Sequence, residues 1–378
     1  MKDVYISSTG AFLPGDPVTS DEMLTRLGPI DAKSKRFRDF VVRQNGIEQR
    51  HYAMDENQRL QFSNAGMAAN AVREALGAAD MPLDDLESLS AATTMADLIV
   101  PGHASSVHGE LGGGAMDIAS FQSVCASAMM AVKNAWMNVV TGEAKTAVAV
   151  GSDMPSIRFR SVAYEPSRKV LENNQVRMSA EFLRWTLSDG AGAALFETTP
   201  RGPLSFRVDA IRTRSFAHLF DTCMYAGISP ENKSDLKKAW SAHEESLAAT
   251  AAEGAVMLLQ DMSLLKDIFE VWADEVRALS EAGHFDAGNL DWFLCHYSAA
   301  SLRDEFARLL VRRNIDIPME KWWSNLSWRG NTGAASVFLL LHDFLASGQA
   351  KPGDKVYCMV PESGRALMSS MFLTVVAP

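Results

Sequence analysis

No apolar run in the 378-residue chain approaches the roughly 20 residues that a membrane span requires; the longest, such as SVFLLL at 336–341, fall far short. The opening segment MKDVYISSTGAFLPG has no sustained apolar core either, so no targeting segment is expected and a cytoplasmic location is. Cysteine is scarce. The four present, Cys125, Cys223, Cys295 and Cys358, lack CxxC and Cys/His spacing, which excludes a disulfide frame and a zinc site. Cys295 and Cys358 sit in apolar, strand-like runs and read as packing residues. Positive charge is also in deficit: the net charge of −10 argues against nucleic-acid binding and leaves only local basic clusters. These are Lys33, Lys35, Arg36 and Arg38; Arg158, Arg160, Arg168 and Lys169; and Arg303, Arg308, Arg312 and Arg313. Phosphate-binding loops are missing as well. GELGGG (109–114) lacks the Lys and Ser/Thr of a Walker loop, and GAGAAL follows an acidic turn and leads into a strand-like run. No permanently bound cofactor and no metal are expected.

What is present in quantity is apolar surface, 47% hydrophobic against 22% charged residues, enough for a large core in a compact protein. The chain also reads as internally duplicated. Segments 125–145 (CASAMMAVKNAWMNVVTGEAK) and 331–351 (NTGAASVFLLLHDFLASGQAK) superimpose without a gap, matching at Ala128/Ala334, Gly142/Gly348, Ala144/Ala350 and Lys145/Lys351. Each reads as small residues, an apolar helix, a Gly turn and then a β-rich run. A thiol opens one copy and a carboxamide opens the other.

Around these segments the pattern alternates. Strand VYISSTGAFLP, helix NAGMAANAVREAL (64–76) and strand SLSAATTMA lead to AVAVGSD (147–153), and GAGAALFET (190–198) with PLSFRVDAIRTRS (203–215) reads as a hairpin closing the first half. The second half offers helices between Leu236 and Leu279, strand DWFLCHY, helices SLRDEFARLLVRR and ASVFLLLHDFLAS, and strands KVYCMVPES and SSMFLTVV. A layered α/β fold of two halves follows, divided as 1–203 and 204–378. The stretch 154–185 is irregular and long for a connection; it reads as an insertion facing substrate or partner, with a surface embellishment as the alternative.

Cys125 precedes AlaSerAla at the start of a helix, where backbone N–H groups and the helix dipole are expected to lower its pKa and favour the nucleophilic thiolate. His296 closes DWFLCHY, at the strand edge where open α/β sheets collect ligands. Asn331, in RGNTGAAS, is either a helix cap or a donor. Together the three residue types supply an acyl acceptor and two groups able to hold an enolate or thioester oxygen.

These residues and their surroundings resemble the ketoacyl-ACP synthase III branch of the thiolase-fold superfamily. STGAFLP, NGIEQRH (45–51), AATTMAD (91–97), the Cys125 helix, AVAVGSD, SDGAGAAL (188–195), LDWFLCH (290–296) and GNTGAAS (330–336) occur in the family's order. The resemblance implies two pseudo-symmetric halves in an αβαβα fold, usually a homodimer. It implies Cys125 as the nucleophile taking an acyl group from a CoA or carrier-protein thioester, and His296 and Asn331 as the pair binding a second thioester for Claisen condensation. It also implies an oxyanion hole from the backbone N–H of Cys125 and of Gly364. Departures from the family bear on substrate: HQAN reads HisTyrSerAla (296–299), the Gly-rich C-terminal loop reads ProGluSerGlyArg (361–365), and Phe40 stands where members carry a CoA-stacking tryptophan. Arg158, Arg160 and Arg303 are candidates for contact with a phosphopantetheine arm or an acyl carrier protein.

The implied activity is a stand-alone ketosynthase of specialised or fatty-acid metabolism. Acyl transfer from Cys125 to a hydroxyl or amine with His296 as base, and a non-catalytic subunit that shapes another ketosynthase's pocket, are the alternatives.

Overall fold

The computed structural model describes residues 2–240 and 246–378. Nine strands dominate it: β1 (Tyr5–Phe12), β2 (Ser88–Thr93), β3 (Asp117–Gln122), β4 (Ala147–Asp153), β5 (Gly190–Glu197), β6 (Ser205–Ser215), β7 (Trp292–Cys295), β8 (Lys355–Glu362) and β9 (Leu367–Val376). They join edge to edge in the order β7-β8-β9-β6-β1-β5-β4-β2-β3. The β1–β6 junction is a seam of two residue pairs, Tyr5/Arg207 and Ile6/Phe206. On either side of the seam the pairings repeat: β4 lies parallel to β2 and antiparallel to β5, as β8 lies parallel to β7 and antiparallel to β9. The mixed α/β expectation holds in this arrangement.

Each sheet needs apolar cover on both faces, and the burial pattern supplies it. β4 and β5 are buried at every position, as strands packed on two sides must be. One outer face is covered by α2 (Asn64–Ala78) and α3 (His103–Leu111), through Met67, Ala71, Val72, Ala104 and Val107. The far face of the other sheet is covered by α6 (Leu265–Glu281) and α7 (Ala300–Arg312), through Ile268, Trp272, Phe306 and Leu309. Between the sheets lie α4 (Ser127–Thr141) and α8 (Ser336–Ala346), the two helices of the duplicated segments. Their Met129, Val132, Phe338 and Leu341 share one core with β4, β6 and β8. That gives five layers, α-β-α-β-α.

Close packing of α8 on the first sheet explains two glycines. A Cβ on Gly151 would overlap the Ala334 carbonyl, and one on Gly192 would come within 2.6 Å of Phe338 Cβ. The expected hairpin between residues 190–198 and 203–215 is a correction: both strands form, but β1 runs between them and pairs with each. Ser7 on β1 explains the insertion of that strand, since its hydroxyl donates to Glu197 and its carbonyl accepts from Ser205. The helices expected between Leu236 and Leu279 appear as a 3₁₀ turn at Leu236–Lys238, the helix Leu247–Ala252 and α6, with residues 241–245 outside the described set.

The irregular 154–185 stretch is ordered around two buried arginines. Its last helix, α5 (Asn174–Arg184), carries Arg177, which bridges Asp31 at 2.5 Å and Glu181 at 2.9 Å. Arg184 is fully buried, lies over the Trp185 ring at 4.4 Å and donates to the carbonyls of Phe159, Leu27 and Gly28. Charges withdrawn from water this far require such partners, and the partners tie the insertion to the segment 27–31.

Candidate active site

Cys125 sits in the turn after β3, two residues before the first residue of α4. The turn is tight: Ser127 donates both its backbone N–H and its hydroxyl to the Val124 carbonyl. His296 follows β7 directly, and its N–H continues the parallel register by donating to the Met359 carbonyl at 2.8 Å. Asn331 lies between Gly330 and Gly333, both in the left-handed region at φ +70° and +57°. Its carbonyl accepts from Ser188 N–H at 2.8 Å, which draws the second half's loop onto the first half. Its side-chain Oδ1 accepts from Gly333 N–H at 3.1 Å, so the amide NH₂ is the end left free to donate.

All three side chains line one cavity. Its other walls are mainly apolar: Leu183, Leu187, Met224 and Leu258 on one side, Leu265, Phe269, Trp272 and Phe306 on the other. Leu183 belongs to the 154–185 stretch, as does Pro155, so that segment reaches the cavity. The site is therefore built to hold an apolar chain beside a few polar groups.

The electrostatics differ from the expectation at Cys125. Burial pushes its thiol well above the usual range, and the carboxylates of Glu362 and Asp153 push it further the same way. The predicted helix-dipole lowering is overturned because burial of the thiol dominates and two buried acids act in the same direction. Burial lowers His296 to about 4, so its imidazole is neutral at physiological pH. The arrangement is thus a protonated thiol, a neutral imidazole and an oriented carboxamide facing one apolar space.

The remaining candidates divide. Arg303 joins the three: it lines the same cavity, lies over the Tyr297 ring at 5.8 Å and bonds Asp304 at 2.7 Å. Arg158 and Arg160 line a separate surface hollow with Phe62, Asp97 and Met154, and Arg160 donates to the carbonyls of Ile157 and Gln58. Phe40, in helix α1 (Ser34–Asn45 by position along the chain), is 41% exposed and lies outside the cavity walls. Gly364 packs behind them: its carbonyl accepts from Cys223 N–H at 2.9 Å, while Ser363 and Pro361 are the loop residues that reach the cavity. Cys295 also lines the cavity, though its thiol is buried and donates toward the His296 carbonyl. Sequence reading passed over the two acids around Cys125. Their signal was present in the strand-end residues of AVAVGSD and KVYCMVPE, the last residue of each being acidic. Among the described residues no group of three or more His, Cys, Asp or Glu side chains is placed to hold a metal, and no helix is long and apolar enough to cross a membrane.

Residues 40–201 match the β-ketoacyl synthase N-terminal domain and residues 280–372 match the C-terminal domain of 3-oxoacyl-[acyl-carrier-protein] synthase III. The chain is 27% identical over 365 residues to the β-ketoacyl-[acyl-carrier-protein] synthase III of Ehrlichia chaffeensis, covering 94% of each. It is 24% identical over 368 residues to that of Hyphomonas neptunium, covering 97% of this chain and 98% of the relative. Among solved structures, Xanthomonas campestris OleA with bound lauric acid and lauroyl-CoA superimposes with a TM-score of 0.74 at 19% identity, covering 99% of both chains. The Pseudomonas aeruginosa 3-oxoacyl-(acyl carrier protein) synthase III, FabH, gives 0.70 at 19% identity, covering 99% of this chain and 98% of that one. The chain is a ketoacyl synthase III-like enzyme of the thiolase fold.

Proposed function

We propose that Cys125 is the acyl-accepting nucleophile and that His296 and Asn331 hold the second thioester. The observation that carries this reading is the meeting of the three groups in one largely apolar cavity, with the Asn331 amide oriented by its bond to Gly333. In the first half-reaction Cys125 Sγ attacks the carbonyl carbon of an acyl thioester. The carrier thiolate leaves, and the Cys125 proton passes through the neutral imidazole of His296 to that thiolate. An enzyme whose nucleophile rests as a thiol needs such an acceptor. In the second, the carbonyl oxygen of an incoming thioester takes hydrogen bonds from His296 and Asn331, which stabilise the enolate formed by loss of CO₂ from a malonyl unit. The enolate carbon attacks acyl-Cys125, a C–C bond forms, and the Cys125 thiolate is released and reprotonated.

The apolar walls suit a medium or long acyl chain, delivered as acyl-CoA or on the phosphopantetheine arm of an acyl carrier protein, with no resident cofactor. The OleA structure with lauroyl-CoA makes a twelve-carbon thioester the first to try. Arg303, at the cavity wall, is the basic residue best placed to meet the arm. The backbone N–H of Cys125 supplies one donor to the acyl oxygen; Gly364 remains the proposed second, contributed by a loop whose Ser363 reaches the cavity. We assign the halves to 1–203 and 204–378, supported by the gap between Glu197 and Ser205 where one repeat of the strand pairings ends and the next begins. A homodimer is assigned through β3, an edge strand with Ile118 39% exposed, beside Leu98, Ile99 and Val100, which are 53%, 79% and 79% exposed. An exposed edge of this length with apolar neighbours is a pairing surface. The cytoplasm, where CoA and carrier thioesters are available, is the proposed location.

Intact-mass spectrometry tests the assignment. Wild-type protein incubated with lauroyl-CoA gains one acyl group and Cys125→Ala gains none; a second thioester then yields a β-ketoacyl product. Acylation that persists in Cys125→Ala, or an ester or amide as sole product, overturns it.

A further inference from the structure

The two acids that end β4 and β8 form a crossed arrangement. Asp153, the last residue of β4 in the first half, accepts from the backbone N–H of Ala334 at 2.7 Å, in the turn that leads from Asn331 into α8. Glu362, the last residue of β8 in the second half, accepts from the backbone N–H of Ala126 at 2.9 Å and from the Ser123 hydroxyl at 2.5 Å, in the turn that leads from Cys125 into α4. Each half thus grips the other half's reactive turn with a carboxylate. Neither acid reaches solvent: Glu362 is 2% exposed and Asp153 is 4% exposed. Burial of a carboxylate is costly, and both are given several donors where they sit. Asp153 takes the hydroxyls of Thr93 and Thr94 and the Thr94 N–H besides that of Ala334.

Small residues make both grips close. A Cβ on Gly333 would overlap Asp153 Oδ2, and one on Gly364 would stand 2.9 Å from Glu362 Oε1 and 3.0 Å from Val124 Cγ2. The ProGluSerGly loop that departs from the family's Gly-rich pattern therefore carries a specific contact to the nucleophile's turn.

We propose that Glu362 is a positioning residue for acyl loading, holding the Ser123–Ala126 turn so that Cys125 faces the cavity, as Asp153 holds the turn of Asn331. The inference rests on the reading of Cys125 as nucleophile and deepens it. Glu362 does not touch the acyl group; it acts through the turn. Its charge has a second consequence, because it faces the thiol. The ionisable groups around Cys125 are Glu362 from β8, Asp153 from β4 and, across the cavity, His296 after β7. Glu362 itself faces Asp153 and Cys125, with Ser123 as its neutral partner. Removing the charge while keeping the hydrogen bonds should let the thiolate form at lower pH.

The test uses the full-length protein and two readouts. Rates of Cys125 alkylation by iodoacetamide, followed by peptide mass spectrometry from pH 7 to 10, need no acyl substrate. Acyl loading from lauroyl-CoA gives kcat and KM. Glu362→Gln, whose amide can accept from Ala126 and donate to Ser123, is expected to raise alkylation at pH 8 at least threefold and shift the profile to lower pH. Glu362→Ala is expected to lower the loading kcat at least tenfold with KM within twofold, and Glu362→Asp to restore part of it. A loading kcat for Glu362→Ala within twofold of wild type overturns the positioning role, and if Glu362→Ala fails to fold, a Glu362→Asp variant that loads as fast as wild type overturns it, since its shorter side chain cannot keep both the Ala126 and Ser123 contacts. Normal wild-type alkylation with no acylation by any thioester would sink the nucleophile assignment instead, so the two failures are distinguishable.

Discussion

The two halves keep the same strand pairings and part ways at their outer edges. In the first half the sheet ends in β3, a full six-residue strand paired to β2 along its length, with its other side open. In the second half the corresponding position outside β7 is reduced to one isolated parallel bridge between Phe293 and Trp322. Trp322 packs edge-on to Phe293 at 4.5 Å and donates its indole N–H to the Ile317 carbonyl. One edge is kept long and unpaired and the other is closed by an aromatic plug. The inner helices differ likewise: eight of the eleven residues of α8 are buried, against seven of the fifteen of α4. The repeated strand pairings frame the two turns, while the peripheries differ. The turns diverged most in chemistry, a thiol in one and a carboxamide in the other, and least in how they are held.

Disabling either turn should break the comparison in different ways. The largest effect belongs to Cys125→Ala, expected to lower condensation by on the order of 10³-fold or more, measured as β-ketoacyl product per minute. Asn331→Ala is expected to cost about 10²-fold in condensation and leave acyl-Cys125 formation within threefold, a separation read by comparing intact-mass loading with product formation. Loss of loading in Asn331→Ala would mean that the halves do not divide the work. Gly333→Ala forces a Cβ into Asp153 at a left-handed position and should destabilise the fold by about 1–3 kcal/mol, seen as a lower Tm.

A smaller effect is expected with pH. His296 binds its proton in the folded state only near pH 4, against 6.5 when unfolded, so the unfolded chain takes up more protons between those values. Its contribution to stability is present above pH 6.5 and is lost as pH falls toward 4. Urea midpoints at pH 7 and pH 5 should differ less in His296→Gln than in wild type. Smallest for folding is Ile118→Lys on the open edge, which should leave Tm within a few degrees yet yield a monomer by sedimentation.

The layered fold was legible because both halves write it twice: the apolar helices after Cys125 and Asn331 and the β-rich runs that follow them recur in order. The meeting of Cys125, His296 and Asn331 was legible for a related reason, each lying at a strand end or helix start facing the same level of the layers. The order of strands across the seam was not. A short connection between Glu197 and Ser205 reads locally as a hairpin, and only the distant Ser7 and its neighbours on β1 decide otherwise. The state of the Cys125 thiol was equally hidden, since it depends first on burial by distant segments and then on Glu362, 237 positions along the chain, and on Asp153. Arg158 and Arg160 were grouped with Arg303 by charge alone, which carries no distance information.

The carbonyl of Asn331 accepting the N–H of Ser188 binds the last third of the polypeptide to its middle. A chain severed between Glu197 and Ser205 would leave each fragment with one reactive turn, half a chamber and an apolar helix stripped of its counterpart. Neither piece could evolve a new acyl preference by itself. Any change in the size of the substrate chamber has to be negotiated by both lobes at once.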